Sequence, residues 1–158
     1  MCIFLLQRIP PFIGIANGLS HIHLKGILHN DLKSNNIALS DCVPQAAKQT
    51  SQKLELWPTI IDFSKACPEK DGKKYHLLSC EKEEFKTRYP HLAPDLVNGK
   101  VRQNVFSDIY SFGQVILRMA VLADNSKTLM QLSNQSTSYT YKNRQELSVT
   151  VTKLKSLL

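Results

Sequence analysis

Residues 29 to 36 decide the fold of this chain, and they read His29-Asn30-Asp31-Leu32-Lys33-Ser34-Asn35-Asn36. The stretch brings an acid, a cation and an amide close together. Short apolar runs flank it, and their brevity predicts two small strands, at Ile27-Leu28 and Ile37-Ala38-Leu39, that hold the stretch as a loop between fixed ends. A carboxylate can accept a proton, an ammonium is a point charge, and carboxylate and amide oxygens suit magnesium.

Three further motifs follow in order: Ile61-Asp62-Phe63-Ser64, Ala93-Pro94-Asp95, and Ser107-Asp108-Ile109-Tyr110-Ser111-Phe112-Gly113. Together with residues 29 to 36, they resemble the carboxy-terminal lobe of protein kinases, whose motifs are H-R-D-L-x-x-x-N, D-F-G and A-P-E. By this resemblance, residues 29 to 36 are named the catalytic string. The string alone could arise by chance, but four motifs in family order are specific. The resemblance implies a mainly α fold with a few short β-strands (α+β).

The resemblance also implies a reaction, the transfer of a phosphoryl group from ATP with Mg²⁺ to a protein hydroxyl. Asp31 would orient the attacking hydroxyl, and Lys33 would lie near the γ-phosphate. Asn36 and Asp62 would hold magnesium against the phosphates. Lys33 favours the serine/threonine class of kinases, although the residues before Ala93 leave the substrate open.

Other positions in these motifs imply structural roles. By the resemblance, the histidine at position 29 packs and hydrogen-bonds, and Asp108 braces the backbone of the catalytic string. Asp95 is expected to pair with Arg144. Asn30 stands where many kinases have an arginine that pairs with a phosphorylated loop, and an amide cannot form that ion pair. Ser64 replaces the glycine of D-F-G, which predicts a stiffer segment.

The amino-terminal half of a kinase is not recognisable in this sequence. The six glycines form no G-x-G-x-x-G, and no V-A-I-K-like strand precedes the catalytic string. Only 28 residues lie before His29, and most of them predict one helix. We therefore expect residues 1–158 to form a single kinase-like C-terminal lobe that lacks the N-terminal lobe and is inactive by itself.

Periodicity predicts the main elements. Apolar residues at three- and four-residue steps predict a helix from Pro11 to Gly26, and a second helix capped by Ser107. A strand is expected at Thr59-Ile60-Ile61, and a final helix carries Leu147, Val151, Leu154 and Leu158. Residues 40–56 predict a polar loop insertion, residues 63–92 lack periodicity, and residues 123–142 give no assignment.

Composition narrows the partners and the location. The net charge of +7 comes from 20 Lys and Arg against 13 Asp and Glu. The lysines are scattered and no recognition motif accompanies them, so we expect neither nucleic acid nor membrane as a partner. Protein partners and ATP are what the resemblance implies. Cys2, Cys42, Cys67 and Cys80 have no metal-ligand spacing, and no targeting segment is recognised. A cytoplasmic protein with reduced thiols is the expectation.

Two other functions stay open at this point. One is a pseudokinase-like binding module without catalysis, because the ATP site would lack the N-terminal lobe that covers the nucleotide. The other is a small-molecule phosphotransferase of the aminoglycoside or choline kinase type, which shares an H-x-D-x-x-x-x-N loop. The second and third motifs downstream of the string argue against it, since Ala93-Pro94-Asp95 and residues 107–113 resemble parts of a peptide-substrate platform.

Overall fold

The computed structural model describes residues 9–40, 56–122 and 126–158. Its helices are α1 (Ile9–Leu24), α2 (Ser79–Arg88), α3 (Pro94–Val97), α4 (Val105–Leu122), α5 (Lys127–Ser136) and α6 (Leu147–Lys155). Its strands are β1 (Ile27–Leu28), β2 (Ile37–Ser40), β3 (Trp57–Ile60) and β4 (Cys67–Pro68). Short 3₁₀ turns lie at Ser34–Asn36, Glu69–Asp71 and Tyr141–Asn143. The fold is α+β and kinase-like, as expected.

Two small antiparallel sheets frame the catalytic string. Strand β1 pairs with β4, and β2 pairs with β3 in a register that sets Ile37 opposite Ile60. The string begins directly after β1 and ends directly before β2, which confirms the two flanking strands. Both ends of the loop are therefore fixed by backbone hydrogen bonds.

Helices α1, α4, α5 and α6 enclose one apolar core. Helix α4 packs mainly on α5, and α1 packs on α6 and β3. Phe112, Leu19 and Leu154 are fully buried there, and so is Leu32 from the catalytic string. Fully burying a side chain of this size stabilises the fold by roughly 1.5–3 kcal/mol. Leu32 thus anchors the string to the core between its polar residues.

Helix α4 is the central helix. With 18 residues it is long and apolar enough to cross a membrane, but 56% of these residues are buried inside the protein. A core helix passes the same test. Gly113 allows a close approach of α5, because an added Cβ at this position would lie 2.7 Å from Ser136 Cβ.

Helix α1 also has a close neighbour. A Cβ added at Gly14 would lie 2.5 Å from Pro58 Cγ, so the glycine lets β3 approach the helix. Strand β3 is in turn paired with β2, the strand that begins where the catalytic string ends.

Several predicted boundaries need correction. Ser107 does not cap α4, because Asn104 Oδ1 accepts the amides of Phe106 and Ser107 at 2.9 and 3.2 Å. Ser107 Oγ instead accepts the Asn104 amide at 3.4 Å, which is the reciprocal half of a capping box. The last helix ends at Lys155, and Leu158 lies beyond it, 64% exposed. Strand β3 ends at Ile60.

Three of the described helices, α2, α3 and α5, were not predicted. Helix α2 lies in the stretch without periodicity and buries none of its residues, so it has no apolar face to detect. Helix α5 lies in the unassigned stretch and buries Leu129 and Leu132.

Residues 41–55 of the predicted insertion lie outside the described residues, as do Cys2 and Cys42. Cys67 and Cys80 are free thiols.

Candidate active site

One buried carboxylate holds the catalytic string in shape. Asp108, on the first turn of α4, accepts the backbone amides of His29 and Asn30, each at 2.8 Å. Its Oδ2 also forms a hydrogen bond with Nε2 of His23, a residue of α1, at 2.9 Å. Asn30 adopts a left-handed backbone conformation with φ of 63°, which asparagine tolerates better than most residues. The predicted bracing role of Asp108 is confirmed.

His29 joins the string to the segment of Asp62. Its Nε2 donates to the carbonyl of Ile61 at 3.2 Å, and its Nδ1 accepts the amide of Asp31 at 3.3 Å. The ring meets Phe63 edge-on with a centroid distance of 5.0 Å. These contacts use both ring nitrogens, in agreement with the packing role expected for this histidine.

Asn30 makes a second connection between these segments. Its Nδ2 donates to the carbonyl of Lys65 at 3.1 Å and to Cys67 Sγ at 3.3 Å. The amide therefore makes neutral hydrogen bonds at the position where many kinases carry an arginine.

Three of the four predicted site residues meet at one carboxylate. Lys33 Nζ lies 2.9 Å from Asp31 Oδ2. Asn36 Nδ2 donates to the carbonyl of Asp31 at 2.9 Å and lies 3.4 Å from its Oδ2. The side chain of Asp31 is 4% exposed and that of Lys33 is 36% exposed, so the acid sits below a solvent-facing cation.

Two residues that the sequence did not single out also reach this carboxylate. Lys65 Nζ lies 3.1 Å from Asp31 Oδ1, and His91 Nε2 lies 3.0 Å from the same oxygen. Lys65 follows Asp62 by three positions, and His91 precedes the Ala93-Pro94-Asp95 motif by two. Their nearness to the motifs was the one available signal, because only the folded chain brings them to Asp31.

These partners determine the charge of Asp31. Burial by itself would raise its pKa, but hydrogen bonds from Lys33, Lys65 and His91 outweigh burial and lower the pKa to about 2. The pKa of His91 is lowered because burial penalises its charged form more than Asp31 favours it. At neutral pH the arrangement is an ionised carboxylate with two lysines and a neutral imidazole that donates through Nε2.

Asp62, the fourth predicted residue, lies apart from this cluster. Within the described ranges, no hydrogen bond or ion pair joins its side chain to Asp31, Lys33 or Asn36. The two segments are nevertheless adjacent, because the amide of Ile61 donates to the carbonyl of Asn36 at 2.9 Å. Asp62 is exposed, and its φ of 61° places its backbone in the left-handed conformation.

Ser64 interacts directly with this aspartate. Its hydroxyl donates to Asp62 Oδ1 at 2.5 Å, and its amide donates to the same oxygen at 3.3 Å. Both hydrogen bonds lower the pKa of Asp62. The serine that replaces glycine thus holds the carboxylate ionised and oriented.

The donor set suits a hard divalent cation. Asn36 uses its Nδ2 on Asp31, which leaves its amide oxygen for another partner, and Asp62 presents an ionised carboxylate. Among the described residues, no group of three or more His, Cys, Asp or Glu side chains could hold a metal. Magnesium is commonly held by one or two protein oxygens together with water and substrate phosphates, so these two residues fit that ion.

The expected ion pair between Asp95 and Arg144 is present and buried. Arg144 Nη2 donates to Asp95 Oδ1 at 2.8 Å, and the two side chains are 0% and 4% exposed. The guanidinium also donates to the carbonyls of Ser138 and Phe106 at 2.9 and 3.1 Å. The pair connects α3, next to the site, with the segment before α6.

Comparison with known proteins adds an independent line of support. The family model described as "Protein kinase domain" matches residues 11–156. The chain is 28% identical over 121 residues to Serine/threonine/tyrosine-protein kinase HT1 of Arabidopsis thaliana, a match that covers 75% of this chain and 26% of the relative.

Two further relatives give similar values. Dual specificity protein kinase zakA of Dictyostelium discoideum is 30% identical over 112 residues, with 71% of this chain and 13% of the relative covered. Serine/threonine-protein kinase 16 of Mus musculus is 29% identical over 118 residues, with 72% and 34% covered. The chain thus spans about a third or less of these relatives. Since the matched residues include every motif of the site and nearly the whole chain, this protein belongs to the protein kinase domain family.

Proposed function

We propose that this chain supplies the catalytic-loop lobe of an ATP-dependent protein kinase that phosphorylates serine or threonine hydroxyls. The observation that carries the proposal is the buried Asp31 carboxylate, held on a braced loop with Lys33 and Asn36 on one side. The names of the relatives support the kinase class and include serine/threonine and dual-specificity enzymes. The proposal treats residues 1–158 as one domain and the location as cytoplasmic, with the free thiols Cys67 and Cys80 as support.

Asp31 would orient the acceptor hydroxyl. A carboxylate offers about four lone-pair positions. In the structure Oδ1 faces His91 and Lys65, and Oδ2 faces Lys33 and, more weakly, Asn36. A hydroxyl must therefore displace one donor. Lys65 is the candidate, because its side chain is 55% exposed and regains water when it leaves.

The low pKa of Asp31 bears on how it would act. A carboxylate with a pKa of about 2 is a weak proton acceptor, so its contribution is to position the hydroxyl early in the reaction. Phosphoryl transfer through a loose transition state depends chiefly on positioning and electrostatic stabilisation. The exposed ammonium of Lys33 would meet the charge on the transferred group.

Asn36 and Asp62 would hold Mg²⁺, which when bound neutralises charge on the phosphates. Ser64 would keep the Asp62 carboxylate turned toward that position through its two hydrogen bonds. The backbone bond between Ile61 and Asn36 would fix the spacing of the two ligands.

The test is phosphate transfer from radiolabelled ATP to a serine and threonine peptide library. It should use both the longest natural product of the gene and the 158-residue chain, since no G-x-G-x-x-G stands in these residues. We expect transfer by the longer product and little or none by the chain alone. Asp31→Asn should lower the rate by about 100- to 10,000-fold, whereas the exposed-site control Asp71→Asn should not.

An undiminished rate in Asp31→Asn would remove this residue from its role. The binding module without catalysis is the second candidate, favoured by the missing glycine-rich loop. It would gain support if the longer product transferred no phosphate. Mg-ATP titrated into the 158-residue chain by calorimetry should bind weakly, and tight binding would contradict the proposed need for a further lobe.

A further inference from the structure

A cavity of about 350 Å³ opens beside the catalytic string, and it is called here the flanking cavity. Three parts of the chain form its walls. Lys33, Ser34 and Asn35 come from the string, Pro90 and His91 come from the segment before α3, and the remaining lining residues come from one face of α4: Ser111, Gln114, Val115, Leu117 and Arg118. Because these walls belong to separate elements, the cavity exists only in the folded chain.

The charge of the flanking cavity is positive. Lys33 and Arg118 line it, and none of its described lining residues is an aspartate or glutamate. Arg118 is exposed and forms no ion pair with any residue in the described ranges. Asp31, which two of the lining residues contact, is already bound by Lys33, Lys65 and His91. An entering anion would therefore meet uncompensated positive charge.

The cavity lies close to the position of the acceptor hydroxyl. His91 forms part of its wall and touches Asp31 Oδ1 at 3.0 Å, while Lys33 touches Oδ2 at 2.9 Å. The cavity therefore begins about one side chain away from the acid. An extended peptide advances about 3.3 Å per residue, so a residue roughly two or three positions from the acceptor would reach it.

The wall nearest the acid is fixed before any ligand arrives. Ser111 Oγ donates to the carbonyl of His91 at 2.7 Å, which ties the segment before α3 to α4. His91 is in turn tied to Asp31. A preformed wall lowers the ordering cost of binding, so its charge contributes more fully to affinity and selectivity.

We propose that the flanking cavity selects protein substrates that carry an acidic side chain, a carboxylate or a phosphorylated residue, about two or three positions from the acceptor. Arg118 is the main specificity-determining residue. Its planar guanidinium pairs with a carboxylate or phosphate through two parallel hydrogen bonds. Gln114 offers a neutral amide beside it. This substrate class rests on the proposed kinase function.

The experiment uses the 158-residue chain, without ATP, and short fluorescent peptides with a single serine in a neutral background. One series carries glutamate at the flanking positions on either side, a second carries glutamine, and a third carries phosphoserine. Fluorescence anisotropy at low salt gives the affinities. We expect glutamate peptides to bind roughly 10-fold more tightly than glutamine peptides, as for a hydrogen bond to a charged group.

Variants separate the cavity from general attraction to a basic protein. Arg118→Glu should abolish or reverse the preference, and Arg118→Lys should keep part of it. Lys155→Glu makes the same charge change at an exposed residue that does not line the cavity, and it should keep the preference. Phosphoserine peptides that bind more tightly than glutamate peptides would identify a phosphorylated substrate within the same class.

Other outcomes would overturn the proposal. These are equal binding of glutamate and glutamine peptides, no measurable binding of either, or an unchanged preference in a folded Arg118→Glu variant. The peptide preference and Asp31-dependent phosphate transfer are separate readouts. Transfer by the longer product without a peptide preference refutes the acidic subsite alone. A peptide preference without any transfer by the longer product refutes the kinase function and leaves the acidic-peptide site standing.

Discussion

Removal of the Asp95 carboxylate should destabilise the chain strongly, because it leaves the Arg144 guanidinium buried without its counter-ion. Breaking one side of a buried ion pair costs about 3–5 kcal/mol. Arg144 would keep its carbonyl partners at Ser138 and Phe106, which favours the lower end of that range. The amides of Leu96 and Tyr141 would lose the acceptor that they now reach at 3.0 and 3.1 Å, which adds to the cost.

This free energy is large for a single domain. A chain of this length loses about 2–4 °C of Tm per kcal/mol, so Asp95→Ala should melt roughly 6–20 °C below wild type. Urea unfolding followed by circular dichroism gives the free energy of unfolding directly. Because folded domains are stable by only about 5–15 kcal/mol, part of the variant could unfold without denaturant.

Two controls test the reasoning. Lys86→Ala breaks the exposed pair between Lys86 and Glu83, whose atoms lie 2.6 Å apart, and should cost less than about 1 kcal/mol. The double variant Asp95→Ala/Arg144→Met should be less destabilised than the sum of the single variants, since neither charge is left alone. A loss below about 1 kcal/mol for Asp95→Ala would refute the argument.

The other predictions concern the brace, the core and pH. Asp108→Ala leaves two buried backbone amides without an acceptor, so it should cost roughly 2–5 kcal/mol, and amide exchange at Asn30 should speed up in hydrogen-exchange NMR. Gly113→Ala should cost about 1–3 kcal/mol by overpacking against α5, whereas Gly18→Ala, whose Cβ finds ordinary contact at 3.5 Å, should stabilise the chain by about 0.5–1 kcal/mol. Chemical denaturation measures both changes. Burial lowers the pKa of His91 in the folded chain below the ordinary value of 6.5. Below pH 6.5 the unfolded chain therefore binds a proton at His91 that the folded chain does not bind, so the free energy of unfolding should fall as the pH drops below 6.5. His91→Gln should flatten that dependence in urea titrations at a series of pH values, and an equally steep dependence would exclude His91 as its source.

The parts of the fold that could be predicted are those encoded by a pattern of neighbouring residues, such as the apolar periodicity of a helix. Apolar periodicity predicted α1, which buries one face in the core. It also predicted the body of α4, whose apolar residues Ile109, Phe112 and Ile116 lie in the same core. Helix α2 buries no residue, so its sequence carries no apolar periodicity that could predict it. The cap of α4 was assigned to Ser107 although Asn104 fills it, because both residue types cap helices and three positions separate them.

The candidate site divides in the same way. Asp31, Lys33 and Asn36 share one short loop, and their meeting follows from sequence spacing. Lys65 and His91 reach Asp31 through tertiary packing, over 34 and 60 positions, and no periodic pattern encodes that approach. Asp62 was placed by family order, and its contact with Ser64 could be read only from the structure.

The three hydrogen bonds of Asp108 also bear on when the site can form. They span 78, 79 and 85 positions of sequence. Closing a loop of about 80 residues costs roughly 4 kcal/mol of chain entropy, and it is repaid only after α4 docks on α1. Contacts of such long sequence separation form late in folding. During synthesis, a nascent chain that has not reached residue 108 carries the whole catalytic string in its sequence but lacks the carboxylate that accepts the amides of His29 and Asn30.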